Sequence, residues 1–197
     1  MKSINVLMVG VGGQGVILAS DALAEIGMNA GYDVKKTDSL GMAQRGGSVV
    51  SNVRWGEKVF SPLIKKGNVD FLVSFEEAEA ARWSAWLRPG GVAIVADVVV
   101  IPISAMSGAF PYPRWDEIRN LLKHYAAEVH LMPAARIGQE VGNPKALNIV
   151  MMGALSTYLN LDEEAWKSDL RKKVPPKFLD SSLAAFDRSV EVMKSMK

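Results

Sequence analysis

The sequence contains no cysteine. That absence excludes disulfides, thiolate nucleophiles and thiolate-held iron–sulfur clusters, so any redox centre the protein works with has to sit on another chain. Histidine is nearly as scarce. His124 and His130 are the only two, neither stands beside an acidic cluster of ligand spacing, and no metal is assigned to this chain. Both are read as surface or helix-end residues without chemistry. Long apolar runs are missing too: the best candidate, near Val92 to Ile103, is broken by Asp97 and Pro102, so no membrane span is expected. The apolar run that follows Met1-Lys2-Ser3 stops at Gly10 and reads as a first strand rather than a signal peptide, and a cytoplasmic location is expected. Charge of either sign is unremarkable, with 23 basic and 21 acidic residues and a formal net charge of +2. No basic block interleaved with aromatics marks a nucleic-acid partner.

What is present is an ordinary globular balance, 49% hydrophobic and 22% charged over 197 residues. That is enough for one domain whose sheet is covered on both faces. The first strand leads into Gly10-Val11-Gly12-Gly13-Gln14-Gly15, and from there Val16, Ala19, Leu23 and Ile26 recur at helical spacing. Gly31 closes that helix and Asp33 to Thr37 restarts as a strand, the opening of a parallel α/β sheet. Between Gly46 and Ile64 two strands are expected around a turn at Trp55-Gly56-Glu57-Lys58, giving an inserted antiparallel hairpin. Asp70 to Phe75 is a strand, and Glu76, Glu77 and Glu79 start a helix where its dipole favours acids. Arg88-Pro89-Gly90-Gly91 is a turn and Val92 to Ala96 a buried strand. Ile101 to Pro113 is loop-like. Its Phe110 to Pro113 stretch reads equally as a partner-docking loop and as a plain connection. A helix over Trp115 to Tyr125, a strand over Glu128 to Met132 and a helix over Pro133 to Val141 follow. The run Ala146 to Leu159 is apolar nearly all round, as in a helix buried in its own core or covered by a partner subunit. The remainder is helical, split at Pro175-Pro176. The fold class is therefore α/β: a single Rossmann-like domain with a mostly parallel sheet flanked by helices, an inserted β-hairpin and a helical C-terminus.

Two segments carry chemistry. In Gly10-x-Gly12-x-x-Gly15 the glycines let the backbone turn tightly and approach a ligand, while the N–H groups of the following helix attract an anion. The polar tract Thr37 to Ser48 holds Ser39, Gln44, Arg45, Gly46 and Gly47. It follows the second strand, at the carboxyl edge where open α/β sheets place their ligands. Arg45 offers a planar fork for a phosphate or carboxylate. Alone, the glycine turn is weak evidence: it also suits a nicotinamide or flavin dinucleotide fold with Asp38 forced into the ribose-holding role, and a tight strand-to-helix turn needs glycine whatever it binds. Asp97, ending a buried strand at the same edge, could orient a loop, cap a backbone amide or touch substrate, and the structural roles are favoured. Trp83, Trp86 and Trp115 read as packing or interface residues.

The motifs in this order, GVGGQGV, TDSLGMAQRGGSVVSNVR, Ser61-Pro62-Leu63-Ile64 and the Glu76-Glu77 segment closed by Arg88-Pro89-Gly90-Gly91, resemble the gamma-type subunit or domain of 2-oxoacid:acceptor oxidoreductases. The resemblance extends more loosely to Asn148. Within that family the tract Ser39 to Gly47 and the short chain are most similar to the small subunits of indolepyruvate:ferredoxin oxidoreductase. The resemblance implies one gamma-type catalytic domain over residues 1–197 and a role in converting aryl pyruvates to aryl-acetyl-CoA, carbon dioxide and reduced ferredoxin. It implies a large partner subunit bearing thiamine diphosphate, magnesium and 4Fe-4S clusters, with coenzyme A as co-substrate and ferredoxin met through the complex. The chain alone would carry no cofactor and no activity. The ligand-contacting set is then Gly10, Gly12, Gly13, Gln14, Gly15, Ser39, Gln44, Arg45, Gly46, Gly47 and Asn148, with the residues that perform catalysis unassigned. An independent NAD(P)-binding dehydrogenase and a non-catalytic scaffold subunit are the alternatives.

Overall fold

The computed structural model describes residues 3–40, 47–101 and 111–197. Six strands form one sheet in the order β2-β3-β1-β4-β5-β6. They are β1 (Ile4–Val11), β2 (Asp33–Leu40), β3 (Ser48–Gly56), β4 (Val69–Ser74), β5 (Leu87–Ala96) and β6 (Ala126–Met132). The helices among the described residues are α1 (Val16–Asn29), α2 (Glu77–Trp83), α3 (Trp115–Leu122), α4 (Ala134–Glu140), α5 (Leu147–Ser156), α6 (Glu163–Lys173) and α7 (Pro176–Met196). Strands β1, β4, β5 and β6 run parallel. β3 is antiparallel to both β1 and β2, so β2 points the same way as β1.

Both faces of the central strands are buried, which explains their unbroken apolar runs. Val6, Met8, Val73 and Ile94 face a core shared with α1, α5 and α7. Leu7, Val9, Leu72, Ala93 and Val95 face a second core closed by Ala80 of α2 and by Ile118 and Leu122 of α3. Helix α5 is buried from Ile149 to Ser156. Its covering comes from this chain: a Cβ on Gly153 would meet the Phe186 carbonyl at 2.8 Å, and Ser189 Oγ of α7 donates to the Val150 carbonyl at 2.5 Å. The all-round apolar character of this helix therefore reflects its place between sheet and α7.

The hairpin differs from the sequence expectation. β3 is one strand over the first half of the expected stretch, and residues 57–68 that follow it contain no strand. The antiparallel pair is β2 with β3, which places β3 between β1 and β2. Arg54 holds the irregular return by donating from Nη1 to the Ser61 carbonyl at 2.8 Å. Arg88-Pro89-Gly90-Gly91 is likewise not a separate turn. It lies inside β5, with a register shift at Gly91/Val92 taking up the irregularity. His130 is no surface residue: it sits on β6 with its side chain only 10% exposed, its Nε2 within 3.0 Å of Glu128 Oε2 and 2.7 Å of the Tyr158 hydroxyl.

Candidate functional site

The carboxyl edge of the sheet gathers the glycine turns. In β1 the register pairs Val11 with Ser48 of β3, and Leu40 of β2 pairs with Val49, so the turn after β1 and Gly47 before β3 reach the same edge. There Gly12 N donates to the Gly47 carbonyl at 2.9 Å. Gln14 stitches the turn to its neighbour strand. Its Oε1 accepts from Val11 N at 2.7 Å and its Nε2 donates to the Phe75 carbonyl at 3.0 Å. Both carboxamide atoms are thus engaged inside the protein, and Gln14 shapes the site rather than offering it a free polar head. Gly10 makes room for that side chain, since a Cβ there would lie 2.7 Å from Gln14 Oε1 and 2.9 Å from Phe75 Cβ. Gly15 caps α1 in the left-handed region, φ 81°, with no side chain bonded to the helix start. A Cβ on Gly15 would touch the Asn148 amide at 3.2 Å. Gly15 and Asn148, far apart in sequence and not linked by any sequence pattern, are therefore brought together. Asn148 Oδ1 itself accepts from Ile149 N at 3.0 Å at the start of α5.

Ser39 stands on β2 opposite Val50, two strands away from the β1 turn. Gln44, Arg45 and Gly46 lie outside the described residues. Asp38 does not occupy the ribose position of a dinucleotide fold. With β3 interposed it is about 5 Å further from β1 than in a sheet where β2 and β1 are neighbours. Its carboxylate is also spent, accepting from Ser51 Oγ at 2.6 Å and pairing with Lys36 at 2.6 Å.

Beside the glycine turn lies a crevice of about 500 Å³ walled by Gly13, Gln14, Val98, Ala134, Pro144 and Lys145. Its walls come from the turn after β1, from Val98 just beyond β5 and from the start of α4 after β6, next to the β1/β4 boundary where the chain order reverses, the switch point where open α/β sheets bind ligands. Lys145 is its cation, and sequence reasoning missed it. The only local signal is a lysine after the Gly142-Asn143-Pro144 turn, and nothing in that turn says which sheet edge it reaches. Asp97 behaves as the sequence suggested and accepts from Ala135 N at 3.3 Å at the start of α4. Burial pushes its carboxyl up, and backbone N–H groups of Ala135 and Ala134 work against that.

A buried acidic group frames the other side. Glu76 caps α2 by accepting from Glu79 N at 2.8 Å. Its other oxygen accepts from Val100 N at 3.2 Å and from the Tyr112 hydroxyl. Tyr112 thus pins its segment to α2, and burial together with the Glu76 contact moves its hydroxyl above the usual phenol range. Glu77 is buried, and its carboxyl is raised first by that burial, then by Glu76 and Asp97. A raised acid binds its proton more tightly folded than unfolded, so its contribution is most favourable at low pH. It is lost as pH climbs from the ordinary 4.5 through the raised value. Glu77→Gln removes this cost, and its urea midpoint relative to the parent is expected to rise between about pH 4 and about pH 7. A difference that stays flat across that range would show that Glu77 does not titrate there.

Comparisons with known proteins show the family of the chain. A family model described as pyruvate ferredoxin/flavodoxin oxidoreductase matches residues 5–192. The indolepyruvate oxidoreductase subunit IorB of Thermococcus kodakarensis is 35% identical over 199 aligned positions, covering 100% of this chain and 98% of that protein. Among solved structures, the gamma subunit of a keto/oxoacid ferredoxin oxidoreductase from Geobacter sulfurreducens superposes with a TM-score of 0.71 at 23% identity, over 98% of this chain and 99% of that one. A 2-oxoglutarate:ferredoxin oxidoreductase from Magnetococcus marinus gives 0.75 at 21% identity, over 100% of this chain and 32% of that chain. These two share the fold. With nearly its whole length matched by the family model and a full-length relative above 30% identity, this chain belongs to the pyruvate ferredoxin/flavodoxin oxidoreductase family.

Proposed function

We propose that this chain is the small, gamma-type subunit of a 2-oxoacid:ferredoxin oxidoreductase, a single catalytic domain over residues 1–197 working in the cytoplasm on indolepyruvate or a related aryl pyruvate. The observation that carries the reading is the switch-point crevice, walled by Gly13, Gln14 and Lys145, in a chain aligned end to end with an indolepyruvate oxidoreductase subunit. The chain's own residues do not fit the redox and carbanion chemistry of such an enzyme. It has no cysteine to hold a cluster, and among the described residues no three His, Asp or Glu side chains converge to hold a metal. Thiamine diphosphate, magnesium and 4Fe-4S clusters belong, on this reading, to a large partner subunit, through which ferredoxin is reached.

The role left for this chain is to shape and charge one wall of the coenzyme A path. The Magnetococcus neighbour was solved with coenzyme A bound, and coenzyme A is an anionic chain whose phosphates suit a lysine beside backbone N–H groups. Lys145, with Arg45 from the second glycine segment, is proposed to meet those phosphates, while Gln14 and Gly10 keep the turn in shape. The test is co-expression with the thiamine-diphosphate, iron–sulfur chain, followed by coenzyme A-dependent ferredoxin reduction with indolepyruvate and with pyruvate. Activity that follows NAD(P) in place of ferredoxin would sink the reading.

Lys145→Ala separates a ligand contact from a scaffold. Loss of one charge-assisted contact costs on the order of 1.5–3 kcal/mol, which is roughly ten- to hundredfold in KM for coenzyme A. Stability should move by less than about 0.5 kcal/mol for an exposed side chain. An unchanged KM in an assembled complex would make the crevice a bystander.

A further inference from the structure

The sheet ends on β6, and among the described residues no strand lies beyond it. One bond tells which of its main-chain groups stay free. The Met132 carbonyl accepts from Asp97 N at 3.0 Å, beside the pairing of Met132 with Ala96. The N–H and C=O of a strand residue point to one side, and the side alternates along the strand. Glu128, His130 and Met132 therefore spend their main-chain groups on β5, while those of Val129 and Leu131 face outward. The register shift at Gly91/Val92 confines the irregularity to the first residues of β6 and leaves Ala127 unmatched on β5. Such an edge is a template for a further strand unless charge or proline blunts it. At the opposite edge β2 carries Lys35 and Lys36, whereas β6 reads Ala-Ala-Glu-Val-His-Leu-Met, without lysine, arginine or proline.

The side chains of β6 pick out what would pair with it. Two copies of one strand pair antiparallel about a two-fold axis, and that axis has to fall on one residue. Placed on Glu128, it sets two carboxylates opposite each other, and placed on His130 it sets two imidazoles together. Placed on Val129, the middle residue of β6, it sets Glu128 opposite the second copy's His130, and the reverse. Side chains opposed in this way on a non-hydrogen-bonded pair are the nearest cross-strand neighbours, where unlike charges attract and like charges repel. Inside the chain Glu128 Oε2 and His130 Nε2 already meet at 3.0 Å, so acid and imidazole alternate across the axis. Val129 is also a residue whose N–H and C=O both face outward, which lets it exchange two hydrogen bonds with its own copy. Main-chain geometry and side-chain chemistry thus select the same centre. A contact of this kind closes at two copies.

We propose that β6 is the edge at which a second copy of this chain pairs, antiparallel about a two-fold axis through Val129, joining the two six-stranded sheets into one. The inference does not depend on the function proposed above. One strand pair is a small contact and makes a weak dimer, so sedimentation velocity on the full chain has to reach high concentration. Between about 10 µM and about 1 mM the parent chain is expected to pass from monomer toward dimer. The chain has no cysteine of its own, so a single one reports the register. Val129→Cys stands about 5.5 Å from its copy, Cα to Cα, and Ala127→Cys more than about 10 Å from its copy. Dibromobimane, which bridges only neighbouring thiols, is expected to link the first at least about tenfold faster than the second. Val129→Pro removes an outward N–H at a place where an edge strand admits proline, and a folded variant should dimerise at least about tenfold more weakly. A parent chain that stays monomeric throughout would overturn the pairing, and equal bridging rates would overturn the axis through Val129; the first of these needs no variant to fold. A dimer that a folded Val129→Pro leaves intact would place the contact elsewhere on the molecule. If the parent is monomeric and Val129→Pro blocks assembly with a large subunit, the edge takes a strand of that subunit and the second copy is ruled out.

Discussion

Replacing Gly27 with alanine is expected to lower the melting temperature by roughly 5–10 °C, although the substitution improves helix propensity. Gly27 lies inside α1 where the helix crosses Trp55 of β3. A Cβ there would stand 2.8 Å from Trp55 Cδ2, 2.5 Å from Nε1 and closer still to Cε2. The indole cannot step aside, because it is 1% exposed and stacked on Tyr32 at a centroid distance of 5.4 Å. Alanine in place of glycine gains up to about 1 kcal/mol in a helix. Forcing an extra carbon into a filled core costs about 1–3 kcal/mol, and more where a rigid ring blocks relaxation. The clash wins, leaving a net loss of about 2–3 kcal/mol, which at 2–4 °C per kcal/mol for a chain of this size gives the stated range. Calorimetry on Gly27→Ala, Trp55→Leu and the pair decides the cause. If the contact is responsible, the double variant is more stable than the sum of the two single losses allows. A Gly27→Ala protein that melts at or above the parent would mean that α1 lifts off β3 at little cost.

That contact also marks the boundary of what was legible in the sequence. Signals that act within a few residues were readable: the glycine turn between β1 and α1, Gly31 after the helix, the first-turn acids of α2, and Pro175-Pro176 separating α6 from α7. Each works through local backbone geometry or the helix dipole. The placement of β3 between β1 and β2 was not, because β-branched residues flanking a turn suit a hairpin on either side of them. Here Phe60 and Leu63, apolar enough to suggest a second strand, are 86% and 62% exposed in the return segment. His130 read as superficial for a similar reason, since its burial comes from Tyr158, far along the chain. The glycine turn after β1 was legible as a turn, and the approach of Asn148 to Gly15 was not. Lys145 reaches the crevice only because α4 and α5 pack back over the sheet edge, a long-range event that no short pattern encodes.

Gln14→Leu is expected to cost about 2–4 kcal/mol and to depress activity of the assembled enzyme beyond what the lost stability explains. Leucine keeps much of the volume but leaves the Val11 N–H and the Phe75 carbonyl without the partners they have at 2.7 and 3.0 Å. An unsatisfied group removed from water costs about 1–3 kcal/mol. Those two bonds join the ends of β1 and β4 on either side of the switch point, so their loss loosens the wall of the crevice as well as the core beneath it. Gln14→Glu sharpens the test. Its carboxylate still accepts from Val11 N but faces the Phe75 carbonyl with no hydrogen to offer, which disfavours the charged form and raises the folded-state pKa. Stability of this variant should therefore recover as pH falls through that raised value, where the protonated carboxyl can donate as the amide did. The urea midpoint measured against pH for both variants reads this directly, with Gln14→Leu showing no such recovery. If both variants fold like the parent, yet turnover with saturating coenzyme A falls more than about tenfold, the clamp positions the site. If turnover merely follows the folded fraction, its role ends with the fold.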